Sequence, residues 1–347
     1  MSSVLRRAGS RLRGLPRRRR SEAPVVLLYH RVAKPSSDPQ LLAVDPQHFS
    51  EHLDLVVENF QPLRLGELLA RVRDGGPADR CLALTFDDGY ADNLLQAKPL
   101  LEARGIPATV FAATSHVRDQ RPFWWDELAW LLLEAGRLPP VLLIPVGGSE
   151  LRFELGDDAV YGRETASSRQ SWSILDDHDP GPRQAVYREL ARRLKGLDGP
   201  ERESSLDALR AASIPDQDDG FSARPLSGDE LRKLAAGDLV EVGAHTQSHP
   251  VLAKLAPERQ AEEIAGSKAF LEEALGGRIQ SFAYPYGSSV DFDRRTVHAV
   301  SAAGYERACT SLPGRLVADT DPLMVPRIVV RDWSAERLEC ELARVTA

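Results

Sequence analysis

Hydrophobic positions along the chain fall into two alternating patterns. Short apolar runs of strand length, Val25 to His30, Leu82 to Phe86, Ala108 to Ala113 and Leu239 to Gly243, are separated by stretches with helical spacing. Phe49, Leu53, Val56, Val57 and Phe60 recur at i, i+4, i+7, i+8 and i+11. They predict an amphipathic helix from Pro46, with Asp45 as its N-cap. Leu65 to Val72, Asp92 to Arg104, Pro257 to Leu275, Asp291 to Ala303 and Ala335 to Val345 also read as helices. Ser227 to Glu230 offers a capping box ahead of another. Further strands are expected at Gln280 to Ala283, Gly304 to Thr310 and Met324 to Val330.

Continuous apolar strands alternating with helices indicate parallel βα units, buried on both faces. The rhythm breaks between about residues 114 and 222. There an aromatic helix opens at Phe123-Trp124-Trp125, a hairpin is expected about Gly147-Gly148, and Gln184 to Leu194 and Glu201 to Ala212 look helical. The alternation then resumes, so this stretch is expected to be an insertion. Setting aside those 109 residues and a 20-residue tail leaves 218, a barrel's worth of chain by the usual range of roughly 200 to 250.

Charge refines this division. The net charge is −7, but the first twenty residues hold eight arginines and no acid, so the rest carries −15. An acidic body is a poor partner for nucleic acid, and none is expected. Residues 1–23 read as a basic disordered tail without the apolar stretch of a signal peptide, and residues 24–347 as one interrupted domain. The expected location is cytoplasmic or peripheral on the inner membrane face, the tail being either solvated or attached electrostatically to an anionic membrane surface or a partner. Cys81, Cys309 and Cys340 are isolated and odd in number, which suits a reducing compartment, and all three are expected to be buried apolar residues.

The chemistry sits where strands end. The run Leu82 to Phe86 stops at Asp87-Asp88-Gly89, and Leu239 to Gly243 leads into His245-Thr246-Gln247-Ser248-His249. Asp-Gly alone also satisfies a turn, and paired histidines also cap helices. At the C-terminal ends of two inner strands, however, Asp88, His245 and His249 would form a three-ligand site for a divalent cation, most simply Zn2+, with a position left for water. Asp87 is then free to act as a base. A backbone N–H from Tyr284-Pro285-Tyr286-Gly287 is available to a developing oxyanion.

Trp124 and Trp125 are expected in the core of the insertion, and Trp333 at a pocket wall or the entry to the last helix. His48, His52, His116, His178 and His298 are expected at the surface or in caps. Asp176, Asp177 and Asp179 carry too few correctly spaced ligands for calcium.

Thr85-Phe86-Asp87-Asp88-Gly89, His245 to His249 and Tyr284-Pro285-Tyr286-Gly287, in that order, resemble the first three motifs of NodB-homology polysaccharide deacetylases, the family 4 carbohydrate esterases. The resemblance covers Val25 to about Phe111 and about Leu226 to Val330. It implies a distorted (β/α)7 barrel of TIM-like type and metal-dependent removal of acetyl groups from N-acetylated amino sugars. It carries the base onto Asp87, the ligands onto Asp88, His245 and His249, and the oxyanion N–H onto Tyr286. The start Leu28-Tyr29-His30-Arg31-Val32 is similar to a branch tied to exopolysaccharide or surface-glycan synthesis, with a glycan or lipid-linked sugar as substrate.

Two positions depart from the family pattern. Ala283 stands where an arginine usually orients the base, and the late Leu-x-x-His that supplies the acid is absent. Arg327 is the expected replacement for the first and His30 for the second. Alternatives are a catalytically inactive glycan-binding barrel and a metal amidohydrolase acting on a non-sugar amide.

Overall fold

The computed structural model describes residues 23–216 and 223–346, so the basic tail expected at the N-terminus lies almost wholly outside the described residues. Seven parallel strands make the main sheet: β1 (Val25–Tyr29), β2 (Cys81–Phe86), β3 (Ala108–Ala112), β4 (Val240–Ala244), β5 (Ser281–Ala283), β6 (Arg307–Cys309) and β7 (Ile328–Val329). Their spatial order is β6-β5-β4-β3-β2-β1-β7, with Gln61–Pro62 added beside the start of β2. A single parallel bridge between Cys309 and Val325 links the β6 end to the segment that enters β7, which in turn pairs with β1. The sheet thus curls into a distorted (β/α)7 barrel. All its pairings are parallel, so every strand delivers its C-terminal residue to one rim.

Side chains alternate across each strand, and this parity decides what reaches the barrel interior. Val25, Leu27 and Tyr29 join Leu82, Leu84 and Phe86 in the core between sheet and helices. Val26, Cys81, Ala83, Phe111, Ala283 and Cys309 form a separate inner core. Continuing the same parity past the strand ends turns His30, Asp87 and His245 inward.

The helices pack outside. They include α1 (Pro46–Asn59), α2 (Leu65–Arg73), α3 (Lys98–Glu102), α4 (Trp124–Leu133), α5 (Pro182–Leu194), α6 (Gly199–Ala212), α7 (Gly228–Ala235), α8 (Pro257–Leu275), α9 (Arg294–Ala302) and α10 (Ala335–Thr346). Asp45 caps α1, accepting from Gln47 N at 2.8 Å, and Ser227 and Glu230 close the capping box on α7. Where one helix was expected over residues 92–104, Asn93–Ala97 form a π-turn that runs into α3. The strand expected over 324–330 is reduced to β7 and the Val325 bridge, because the chain bends to place Arg327 inside the barrel.

Between β3 and β4 the chain builds a second core, in which Phe123, Trp124, Trp125, Leu128 and Leu132 pack on Tyr187, Leu190 and Leu206. The hairpin forms as expected, from Val141–Val146 and Ser149–Glu154.

Two expectations about single residues are corrected. His52 is fully buried: it shares the inward stripe of α1 with Phe49, Leu53 and Val56, and its Nε2 lies 2.7 Å from the Trp333 carbonyl. Cys340 is exposed, because Leu338 and Leu342 turn the core face of α10 away from it. Among the described residues no helix is long and apolar enough to cross a membrane.

Candidate active site

Asp87 and Asp88 follow β2 directly. Asp87 N donates to Tyr29 O on β1, and Gly89 N donates back to Asp87 O at 2.9 Å, closing a three-residue turn about Asp88. That turn holds Asp88 at φ +73°, a conformation costing a non-glycine residue about 1–3 kcal/mol. Gly89 itself sits at φ +77°, and a Cβ there would lie 3.0 Å from that of Ala112. The turn therefore splits two adjacent carboxylates: Asp87 continues the inward parity of β2, and Asp88 is redirected towards the histidines.

The histidine loop is fastened from outside. Gln247 N and Ser248 N both donate to Glu263 Oε2, at 2.9 and 2.8 Å, and Ser248 Oγ donates to Glu263 Oε1. Thr246 and His249 both adopt positive φ, and His249 N donates to Thr246 Oγ1 at 3.0 Å. Glu263 is buried on α8. Its only sequence signal is an acid on the inward face of an amphipathic helix.

Asp88, His245 and His249 converge. Asp88 Oδ1 lies 3.5 Å from His245 Nε2 and 3.3 Å from His249 Nε2, and the two Nε2 atoms are 3.1 Å apart. A tetrahedral ion with bonds of roughly 2.0–2.1 Å has ligand-to-ligand edges of about 3.3 Å. The three donors fit such an ion. His245 Nδ1 lies 2.8 Å from Ala283 O, which fixes the tautomer with the Nε2 lone pair facing the site. His249 Nδ1 is buried without a protein partner. Burial pushes both imidazoles down, to about 4 for His245 and about 3 for His249, so both are neutral donors at neutral pH. Burial likewise raises the Asp88 carboxyl above its ordinary value, against the pull of His30 and His245. Among the described residues this is the one cluster of histidine, cysteine and carboxylate groups with metal-binding geometry.

Asp87 has a different partner. Arg327 Nη1 and Nη2 donate to Asp87 Oδ1 and Oδ2, both at 2.7 Å, while Arg327 also donates to Thr85 Oγ1 and Thr310 O. Four of its five N–H donors are thus used inside the barrel. Burial raises the Asp87 carboxyl, but Arg327 and then His245 outweigh it, and the group is held at about 2. Asp87 Oδ2 lies 4.0 Å from His245 Nε2, at the edge of the ligand set.

His30 is half-buried, one residue past the Tyr29–Phe86 pair, so it stands level with Asp87 on the neighbouring strand. Burial lowers its pKa, opposed by Asp88 and Asp87. Tyr286 closes the site from β5. Gly287 N donates to Pro285 O at 2.7 Å, forming a second three-residue turn with Tyr286 at φ +60°. Among the described residues the Tyr286 N–H has no protein acceptor. Its ring stands edge-on to His249, 4.6 Å between centroids.

Trp125 and Phe123 also reach the site, 5.0 and 5.9 Å from the His249 ring. Trp125 lies in the core between β3 and β4 where the sequence pattern puts it, and the contact of that core with the histidine loop is visible only in the structure.

Comparison with known proteins supports the same reading. A family model for polysaccharide deacetylases matches residues 74–136 and 214–308, which include both carboxylates and both histidines. YxkH of Bacillus subtilis (strain 168), provisionally described as a polysaccharide deacetylase, is 35% identical over 88 residues; these span 25% of this chain and 30% of that relative. The fold is shared with the Streptococcus pyogenes deacetylase PplD, solved in complex with acetate (TM-score 0.56, 17% identity, 94% of this chain and 99% of that one). IcaB from Ammonifex degensii is comparable (TM-score 0.55, 20% identity, 93% and 98%). Over these residues the chain is similar to the polysaccharide deacetylase family.

Proposed function

We propose that this protein hydrolyses the N-acetyl group of an amino sugar within a polysaccharide or glycan precursor, with a divalent cation, most simply Zn2+, held by Asp88, His245 and His249. The single observation that carries this reading is the separation of two adjacent carboxylates, one facing two neutral imidazoles and the other a buried arginine. A cation bound there supplies Lewis acidity towards the acetyl carbonyl and acidifies water.

The chain's own residues do the rest. Asp87, oriented by the Arg327 fork, accepts the proton from the attacking water. The free Tyr286 N–H donates to the oxygen that gains charge when the carbonyl carbon becomes tetrahedral. His30, half-buried beside both carboxylates, holds the proton that the departing amine requires. Arg327 thus takes the place of the arginine missing at Ala283, which favours an active hydrolase over a glycan-binding barrel.

The similarity of Leu28 to Val32 to a surface-glycan branch of the family supports a glycan or lipid-linked sugar of that kind as substrate. The residues from 114 to 222 are read as an insertion into the barrel. The basic residues 1–23 support a place on the cytoplasmic membrane face, and loss of binding to anionic vesicles on deleting residues 1–20 tests that placement.

Incubation with N-acetylated oligosaccharides and lipid-linked sugars, scored for release of acetate, tests the reaction. Acetate released by the protein and abolished by chelation supports it. No acetate from any acetylated glycan by metal-loaded protein contradicts it.

A further inference from the structure

Tyr286 is held from the far side by the segment between β3 and β4. Its hydroxyl accepts from Trp124 Nε1 on α4 at 3.2 Å. Lys195, immediately after α5, places its ammonium 4.3 Å from the centre of the Tyr286 ring. The same ammonium pairs with Asp291 Oδ1 at 2.8 Å, and the other oxygen of Asp291 accepts from Ser288 N, two residues past Tyr286. One lysine therefore grips both the ring of Tyr286 and the backbone that follows it.

This grip has something to oppose. Tyr286 is not glycine, yet its turn needs φ +60°, and the next residue, Gly287, is also at positive φ with Ser311 N only 2.6 Å from where a Cβ would be. On the barrel side the turn is held by backbone, by Ser311, whose Oγ donates to Tyr286 O at 2.6 Å, and by the His249 ring, edge-on to that of Tyr286. A strained turn persists when its surroundings over-determine it. Here two of the determinants, Trp124 and Lys195, lie outside the barrel strands, and among the described residues neither forms a hydrogen bond or ion pair with Asp87, Asp88, His245 or His249.

We infer that Trp124 and Lys195 are positioning residues that fix the Tyr286 N–H for the oxyanion, so that the β3–β4 segment controls turnover through the side chain of Tyr286. The inference rests on the deacetylase reading for the role of that N–H. The tether itself does not.

The test uses the full chain with Lys195→Met, Trp124→Phe and Lys195→Arg, the last keeping the cation and the ion pair. Two readouts are taken: kinetics of acetate release from an N-acetylated chito-oligosaccharide, and amide hydrogen exchange over residues 284–291. Lys195→Met and Trp124→Phe are expected to lower kcat about tenfold with KM within about twofold. Exchange of the Gly287 and Ser288 amides should quicken about tenfold. Lys195→Arg should restore both. The double variant should lose little more than either single one, because both act through one ring. Unchanged exchange overturns the tether, and a change in KM alone overturns the positioning role. No acetate from the unaltered, metal-loaded protein on this or any other acetylated glycan overturns the deacetylase reading and the oxyanion role with it, while the exchange experiment still decides whether the segment holds the turn.

Discussion

Arg327 and Asp87, 240 positions apart, form a two-pronged ion pair inside the barrel, with both N–O distances 2.7 Å and the arginine wholly buried. The pair joins the bend before β7 to the end of β2, the strands on either side of β1, and it accounts for the difference between two consecutive aspartates. Asp87 is kept charged by a guanidinium, whereas Asp88 has no such partner and is left to the imidazoles.

Removing one member of a buried pair strands the other. Arg327→Ala is therefore expected to destabilise the fold by about 3–5 kcal/mol in urea unfolding, and Arg327→Lys by less, since it keeps the charge but loses the fork. An Ala variant as stable as the unaltered protein would mean that Asp87 finds another partner.

Asp87→Asn keeps shape and removes the proposed base. The expected result is cation binding within about twofold of the unaltered protein and acetate release reduced by about 10²–10⁴. Retained turnover would remove Asp87 from the role of base.

The sequence made the strand-end chemistry legible because apolar runs and their terminal polar residues are local features. Asp87, Asp88, His245 and His249 could be placed on one rim as soon as the strands were taken as parallel. Arg327 was legible only as a stray arginine inside an apolar run. What escaped notice depends on contacts that no local pattern encodes: Glu263 fastening the histidine loop from α8, Trp125 against His249, and Lys195 above Tyr286. His52 is a different failure, since its place on the stripe of Phe49, Leu53 and Val56 was visible and its type was given more weight than its position.

Gly243 shows how little room the inner face leaves. A Cβ there would lie 2.5 Å from the Phe111 ring and 2.9 Å from Ser281 O, and the second of these is backbone that cannot rotate away. Gly243→Ala is expected to cost about 1–3 kcal/mol and to weaken cation binding by displacing His245 two residues on. Calorimetric unfolding and a metal titration check both effects.

Stability should also respond to pH through Asp126. Burial raises its carboxyl to about 7, against Arg31, 4.0 Å away, and the Tyr90 hydroxyl, which donates to it at 2.6 Å. Asp88 and Asp38 add to the rise. Unfolded, the group titrates near about 4. The folded state therefore binds the extra proton between these values, and the contribution of Asp126 to stability is full below about pH 4 and lost as pH rises through about 7. Asp126→Asn should flatten that decline in the unfolding midpoint between pH 5 and pH 8; parallel profiles for the two proteins would assign the pH response elsewhere.

The most direct measurement is the metal content of the purified protein after zinc loading and removal of excess ion, compared with Asp88→Ala, His245→Ala and His249→Ala, each verified as folded. The account predicts one tightly held cation per chain in the unaltered protein and its loss from all three variants. A folded protein that retains no cation, or variants that retain it undiminished, would contradict the convergence of these three side chains on a metal.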